Sequence, residues 1–331
     1  MLSRLLSYTF QFALASSIIG DALGNSQIST DGHLDFAYPS TGLVGQTWYK
    51  IIGTLHPYSR PLIALHGGPG INSAYLEILS DVTNKYPNHP LIVYDQVGNG
   101  KSTHYPDTIG NTTFWTEDMF IAELRNLVHK LGLKQYDLLG QSWGGMLAAR
   151  YATFRPHGLR KLIIMSGPAS MKLYTEGLAV LRAQLPKKIR EALDKHEAEG
   201  TTDSQEYLDA VDYFYSKHLI TLNPMPEAIA EASGWIEKDP TVYLTMNGPN
   251  EFTVTGVLKN WSVIRELHKI QVPTLVTNGA QDEVTDHAIA PHVSEIPNVK
   301  RLKFLNSSHM AHYEERAAFM QTIEKFLYKN H

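Results

Sequence analysis

Leu138 to Tyr151 reads LLGQSWGGMLAARY: a serine held between glycines, after an apolar run and ahead of a helix-like run. Gly140-Gln141-Ser142-Trp143-Gly144 has the form G-x-S-x-G between an expected strand and an expected helix. Glycines there let the chain turn where a side chain would strike the neighbouring strand and helix. Ser142 then projects from the corner, and the Trp143 amide opens the helix, where an oxyanion is stabilised. The competing reading is a packed turn serine, and the strand-to-helix context favours the nucleophile. A serine hydroxyl needs a base, and the base an orienting carboxylate. The expected order along the chain is serine, acid, histidine. Asp282 follows the run TLVTNGAQ, and His309 follows LKFLNSS, so both close expected strands. His312 is the rival base, better explained as the first turn of the closing helix. A second oxyanion donor is expected in His66-Gly67-Gly68-Pro69-Gly70, at the Gly68 amide first and the Gly67 amide second. Together these residues spell acyl transfer through an acyl-enzyme.

The elements that must position them follow from pattern. HLDFAYP and QTWYKIIGTL read as an antiparallel edge. RPLIALHGGPG and HPLIVYDQVGNGKS are short apolar runs ending in glycine-rich loops, the form of a parallel sheet covered on both faces. Thr116 is the expected N-cap of a helix with Phe120, Leu124, Leu127 and Leu131 on one face, stopped by Gly132. YDLLGQS, WGGMLAARYATF and LRKLIIMSGP continue the strand and helix alternation. From 169 to 261 the runs are helical and broken by Pro224, Pro226, Pro240 and Pro249. The alternation resumes with VPTLVTNGAQDEV and ends in a helix near 312–329. The expected organisation is therefore an α/β core at 25–168 and 262–331 with a helical insertion at 169–261.

Composition removes other chemistries. With 43% hydrophobic residues the 331-residue chain can bury a sizeable core, and its net charge of −4 carries no basic stripe for nucleic acid. Cysteine is absent, which excludes disulfides, thiolate nucleophiles and Cys-based metal sites. GNGKS at 98–102 ends like a phosphate-binding loop, but the first required glycine falls on Asp95. No metal-ligand constellation is evident, and no cofactor is expected. Arg4 followed by a mostly apolar stretch and Ala22-Leu23-Gly24 reads as a signal peptide, residues 1–24, cleaved after Gly24. Secretion is expected, with sequons at Asn111, Asn260 and Asn306 compatible with it, and no stable membrane insertion after cleavage; the competing reading of the stretch is a helical extension or a membrane anchor, and the alternative location is cytoplasmic.

HGGPG at 66–70, YDQVGNGKS at 94–102, GQSWGG at 140–145 and SSHMAHYEE at 307–315 resemble the proline iminopeptidase family of α/β hydrolases. MNGPNEFTVTGVLKNW (246–261) and QDEVTDHAIAPHV (281–293) are similar to the branch with the tricorn-interacting aminopeptidase and amino-acid amidases. The resemblance implies an α/β-hydrolase fold, a mostly parallel eight-stranded sheet with an inserted helical cap. It implies Ser142, Asp282 and His309 as the triad, and Glu251 and Glu283 as acids that hold a substrate's free amine. Two carboxylates beside a low-dielectric pocket attract an ammonium and reject blocked peptides. Val97 stands where many iminopeptidases carry arginine, which leans toward the broader aminopeptidase and amidase branch and away from strict preference for proline.

The resulting expectation is a serine exopeptidase that releases an unblocked N-terminal residue, proline among the candidates, from short peptides, amides or arylamides. The alternatives are a hydrolase of esters, lactones or small amides, since fold and triad do not fix the substrate, and a non-enzymatic binding protein on this scaffold.

Overall fold

The computed structural model describes residues 28–329. The expected signal peptide at 1–24 lies outside the described residues. Eight strands form one sheet: β1 (Ser29–Tyr38), β2 (Leu43–Ile52), β3 (Leu62–Leu65), β4 (Leu91–Tyr94), β5 (Tyr136–Gln141), β6 (Leu159–Met165), β7 (Thr274–Gly279) and β8 (Val299–Phe304). Their spatial order is β1-β2-β4-β3-β5-β6-β7-β8. β1, β2 and β4 pair antiparallel, and every pair from β4 through β3 to β8 is parallel. The antiparallel edge and the parallel body are those expected from the sequence.

β3, β4, β5 and β7 are buried at every residue because helices cover both faces. The pleat divides them. Ile63 and Leu65 face one core with Leu138, Phe120, Leu124 and Leu147. Leu62 and Ala64 face the other with Leu139, Phe319 and Ile323. The helix Glu117–Lys130 begins at Thr116, whose hydroxyl accepts from the Met119 amide.

Between β6 and β7 the chain is helical, with Met171–Ala183, Lys187–Glu199, Gln205–His218, Glu227–Ser233 and Thr241–Met246 as its longer helices. Ser170 and Ser262 pair in an isolated bridge, the Met171 amide donates to the Trp261 carbonyl, and the Val263 amide donates to the Ala169 carbonyl. The chain thus departs toward these helices and returns from them at one place. Among the described residues no helix is long and apolar enough to cross a membrane.

Candidate active site

The sheet brings the C-terminal ends of β5, β6, β7 and β8 side by side, and the chemistry-bearing residues cluster there. Ser142 joins β5 to the helix Trp143–Thr153 with φ 55° and ψ −121°, a conformation L-residues adopt only at a cost of about 1–3 kcal/mol. Its amide donates to the Met165 carbonyl of β6 (2.9 Å), which ties the corner to the neighbouring strand. The flanking glycines are a steric demand. A Cβ on Gly140 would lie 2.0 Å from the Gly144 carbonyl oxygen, and one on Gly144 2.2 Å from that of Leu65. Strand, helix and β3 meet with no room for a methyl group.

Asp282 and His309 meet as expected: Nδ1 of the imidazole lies 2.8 Å from Asp282 Oδ1. The carboxylate is further held by the Val284 amide (2.8 Å), the Ser166 hydroxyl (2.6 Å) and the Gly279 amide (3.3 Å). With Nδ1–H donating to Asp282, Nε2 is the basic nitrogen. Burial, the largest single influence, works against a charged His309, and the Asp282 carboxylate opposes it by charge and hydrogen bond. With Glu283 and Glu251 it raises the imidazole to about 9. Among the described residues no hydrogen bond joins Ser142 to His309; in unliganded hydrolases that bond is often long and tightens with substrate. His312 lies in the short helix Ala311–Glu314, buried against Tyr75 with ring centroids 5.7 Å apart. Burial and the nearby His309 push it down to about 3, so it is a neutral core residue.

The two loop amides part ways. The Gly67 amide donates to the Tyr75 hydroxyl (2.7 Å), which donates to Gln141 Oε1 (2.7 Å). Gly67 is therefore corrected from oxyanion donor to loop anchor: its N–H is already spent inside the protein. The Gly68 amide carries no such bond among the described residues, and Gly68 has a φ of 98° that a side chain would resist. The Trp143 amide opens its helix, where N–H groups lack intrahelical acceptors. The two loops are clamped together. His66 Nε2 accepts from the Gln96 amide (3.0 Å), which leaves Nδ1–H to donate to the Gly67 carbonyl (2.9 Å). The Trp143 indole donates to Gln96 Oε1 (2.9 Å).

Glu251 and Glu283 also converge beside the imidazole. Glu283, buried, places Oε1 3.9 Å from His309 Nε2, while its Oε2 has no partner. Glu251 accepts from the hydroxyls of Tyr174 (3.0 Å) and Tyr243 (2.9 Å). Burial, with Glu251 and Asp282 adding like charge, raises Glu283 to about 8; burial likewise raises Glu251. Carboxyls so placed are short of a cation. Val97 is buried in the core, its amide donating to Glu123 Oε1 (2.9 Å). The sequence reading missed Ser166, Tyr174, Tyr243 and Tyr75. None carries a local signal; each is defined by a partner distant in the chain. Among the described residues no three His, Cys, Asp or Glu are grouped to hold a metal ion.

A family model described as the alpha/beta hydrolase fold matches residues 60–316. The chain is 39% identical over 280 residues to the proline iminopeptidase of Saccharolobus solfataricus, covering 84% of this chain and 87% of that one. It is 35% identical over 284 residues to the proline iminopeptidase of Lactobacillus delbrueckii subsp. bulgaricus, covering 85% and 94%. Among solved structures, the proline iminopeptidase of Mycobacterium smegmatis superposes with a TM-score of 0.82 at 40% identity, covering 90% of this chain and 98% of that one. The crystal structure of VinJ superposes with a TM-score of 0.84 at 43% identity, covering 90% and 98%.

Proposed function

The chain belongs to the proline iminopeptidase family of α/β hydrolases, and from that premise we propose how it works as a serine aminopeptidase that releases N-terminal proline. Ser142 attacks the carbonyl of the first residue, and its proton passes to His309 Nε2 as the O–C bond forms. Asp282 holds the imidazole in the tautomer this requires. The Gly68 and Trp143 amides receive the oxyanion. His309 returns the proton to the leaving nitrogen as the C–N bond breaks, and water, activated the same way, cleaves the acyl-enzyme. Glu251 and Glu283 hold the substrate's ammonium beside the reacting carbonyl.

The observation that carries the reading is the acid pair beside His309, Glu283 buried and Glu251 half-buried under two tyrosine hydroxyls, poised for a cation. An ester or lactone hydrolase has no use for two carboxylates there, and a binding protein none for an oriented imidazole. The test compares prolyl arylamide with its N-acetylated twin. A loss of about 10²-fold or more in kcat/KM on acetylation is expected, because the acids are left with no cation. Equal turnover of the two would overturn it.

Residues 1–24 are further proposed to direct secretion and to be removed after Gly24. Intact mass of secreted material beginning at Asn25 is the expected result, and a retained leader in secreted material refutes it.

A further inference from the structure

His309 has two ring nitrogens and each faces a carboxylate. Nδ1 is 2.8 Å from Asp282 Oδ1, and Nε2 is 3.9 Å from Glu283 Oε1. Nε2 is the lone pair Ser142 needs. Glu283 is nine-tenths or more buried and its other oxygen is unpartnered, so it has one close neighbour able to carry positive charge. The groups around the pair bear this out. Asp282 shares the loop with Glu283. Tyr174, Tyr215 and Tyr243 face it from helices between β6 and β7, Glu251 from the turn after Thr241–Met246, and His312 faces His309 from the helix Ala311–Glu314. None of these is a lysine or arginine, and His312 stays neutral.

We propose that Glu283 serves two cations in turn: the His309 imidazolium in the empty site and the substrate's ammonium in the filled one, so that arrival of a free N-terminus releases the base. This rests on the reading of Glu251 and Glu283 as the amine site. In the empty enzyme the His309–Glu283 pair holds one proton. The entering ammonium pairs with Glu283 and Glu251, and the imidazole's proton departs to solvent. Nε2 is then free to take the Ser142 proton. Because the ammonium belongs to the acyl half of the substrate, it stays through the acyl-enzyme and leaves only with the released amino acid. An acyl group without an amine meets a base that is still protonated, which adds a chemical filter to the steric one. The raised proton affinities of His309 and Glu283 agree with this arrangement.

The test sets two pH profiles side by side. Labelling of Ser142 by an alkyl fluorophosphonate, which has no amine, reports His309 in the empty site. The kcat for prolyl arylamide reports it in the filled one. The acidic limb of labelling is expected about one pH unit or more above that of kcat, and Glu283→Gln should bring the labelling limb down by a similar amount. Coincident limbs in the wild type, or an unmoved labelling limb in the variant, overturn the proposal. Should Glu283→Gln fail to fold, calorimetry of L-prolinol binding to the wild type at pH 8, in buffers of different ionisation enthalpy, gives a second readout. Net proton release supports the exchange; none, or uptake, refutes it. Equal turnover of N-acetylated arylamides is a separate result, which would take down the amine reading and this proposal with it.

Discussion

At the scale of the residue, the site separates groups that react from groups that hold them. Ser142→Ala should lower kcat by about 10⁴-fold or more while the thermal midpoint stays put, since the φ of 55° is imposed by the corner and not by the hydroxyl. Ser166 is a positioning residue: its hydroxyl meets Asp282 Oδ2 at 2.6 Å on the side away from the imidazole. Without it the Asp282 carboxylate loses one of its donors, and the remaining ones, the His309 N–H among them, carry more of its charge. Ser166→Ala should therefore cost about 10-fold in kcat, raise the acidic limb of the pH–rate profile, and lose about 1–3 kcal/mol in denaturant. An unmoved limb would reduce Ser166 to a packing role. The Asp282–His309 contact was legible in the sequence because each residue follows a strand. Ser166 ends β6 just as visibly, yet nothing in MSGP marks its side chain as the one that finds Asp282, 116 residues onward.

At the scale of the element, the β5 corner leaves no room for a side chain on either flanking glycine. Gly140→Ala puts a methyl group 2.0 Å from a backbone oxygen that belongs to the helix the corner launches, so nothing nearby can yield by a rotamer change. Loss of about 3 kcal/mol or more is expected, seen as a lowered urea midpoint or insoluble protein. A midpoint within experimental error of the wild type would show that the corner can open. The strands and the helix after Thr116 were readable because burial imposes a period and a cap. The loop amides were not. Gly67 and Gly68 look equivalent in HGGPG, and only Tyr75, folding back from the helical turn Ala74–Leu79, decides which one is spent. The tyrosines over the acid pair were hidden for the same reason. Tyr174 reaches Glu251 across 77 residues, a meeting between the helix Met171–Ala183 and a turn that no periodicity marks. Val97 shows the converse. Its departure from the iminopeptidase pattern suggested a change of substrate, yet the side chain is buried in the core and the relatives are proline iminopeptidases.

At the scale of the whole molecule, buried ionisable groups set how stability follows pH. Burial raises Glu123 to about 8 in the folded protein, above its ordinary 4.5. Between those values the folded state binds the extra proton, so stability falls as pH rises from 4.5 through 8. His312 is pushed from 6.5 down to about 3, so the unfolded chain binds the extra proton and stability falls as pH drops from 6.5 through 3. The two slopes oppose between 4.5 and 6.5. A broad maximum in thermal midpoint is expected there, with Glu123→Gln flattening the alkaline side and His312→Phe the acid side. A wild-type midpoint still climbing from pH 7 to 9 would contradict the assignment. The bridge between Ser170 and Ser262 has a further consequence. A region whose chain leaves and rejoins its host at one seam can be exchanged as a block without cutting a strand of the sheet beneath. Glu251 lies inside that seam and Glu283 outside it. A descendant that exchanged the stitched region would keep one half of the grip on the amine and forfeit the other, leaving a working nucleophile free to find a new clientele.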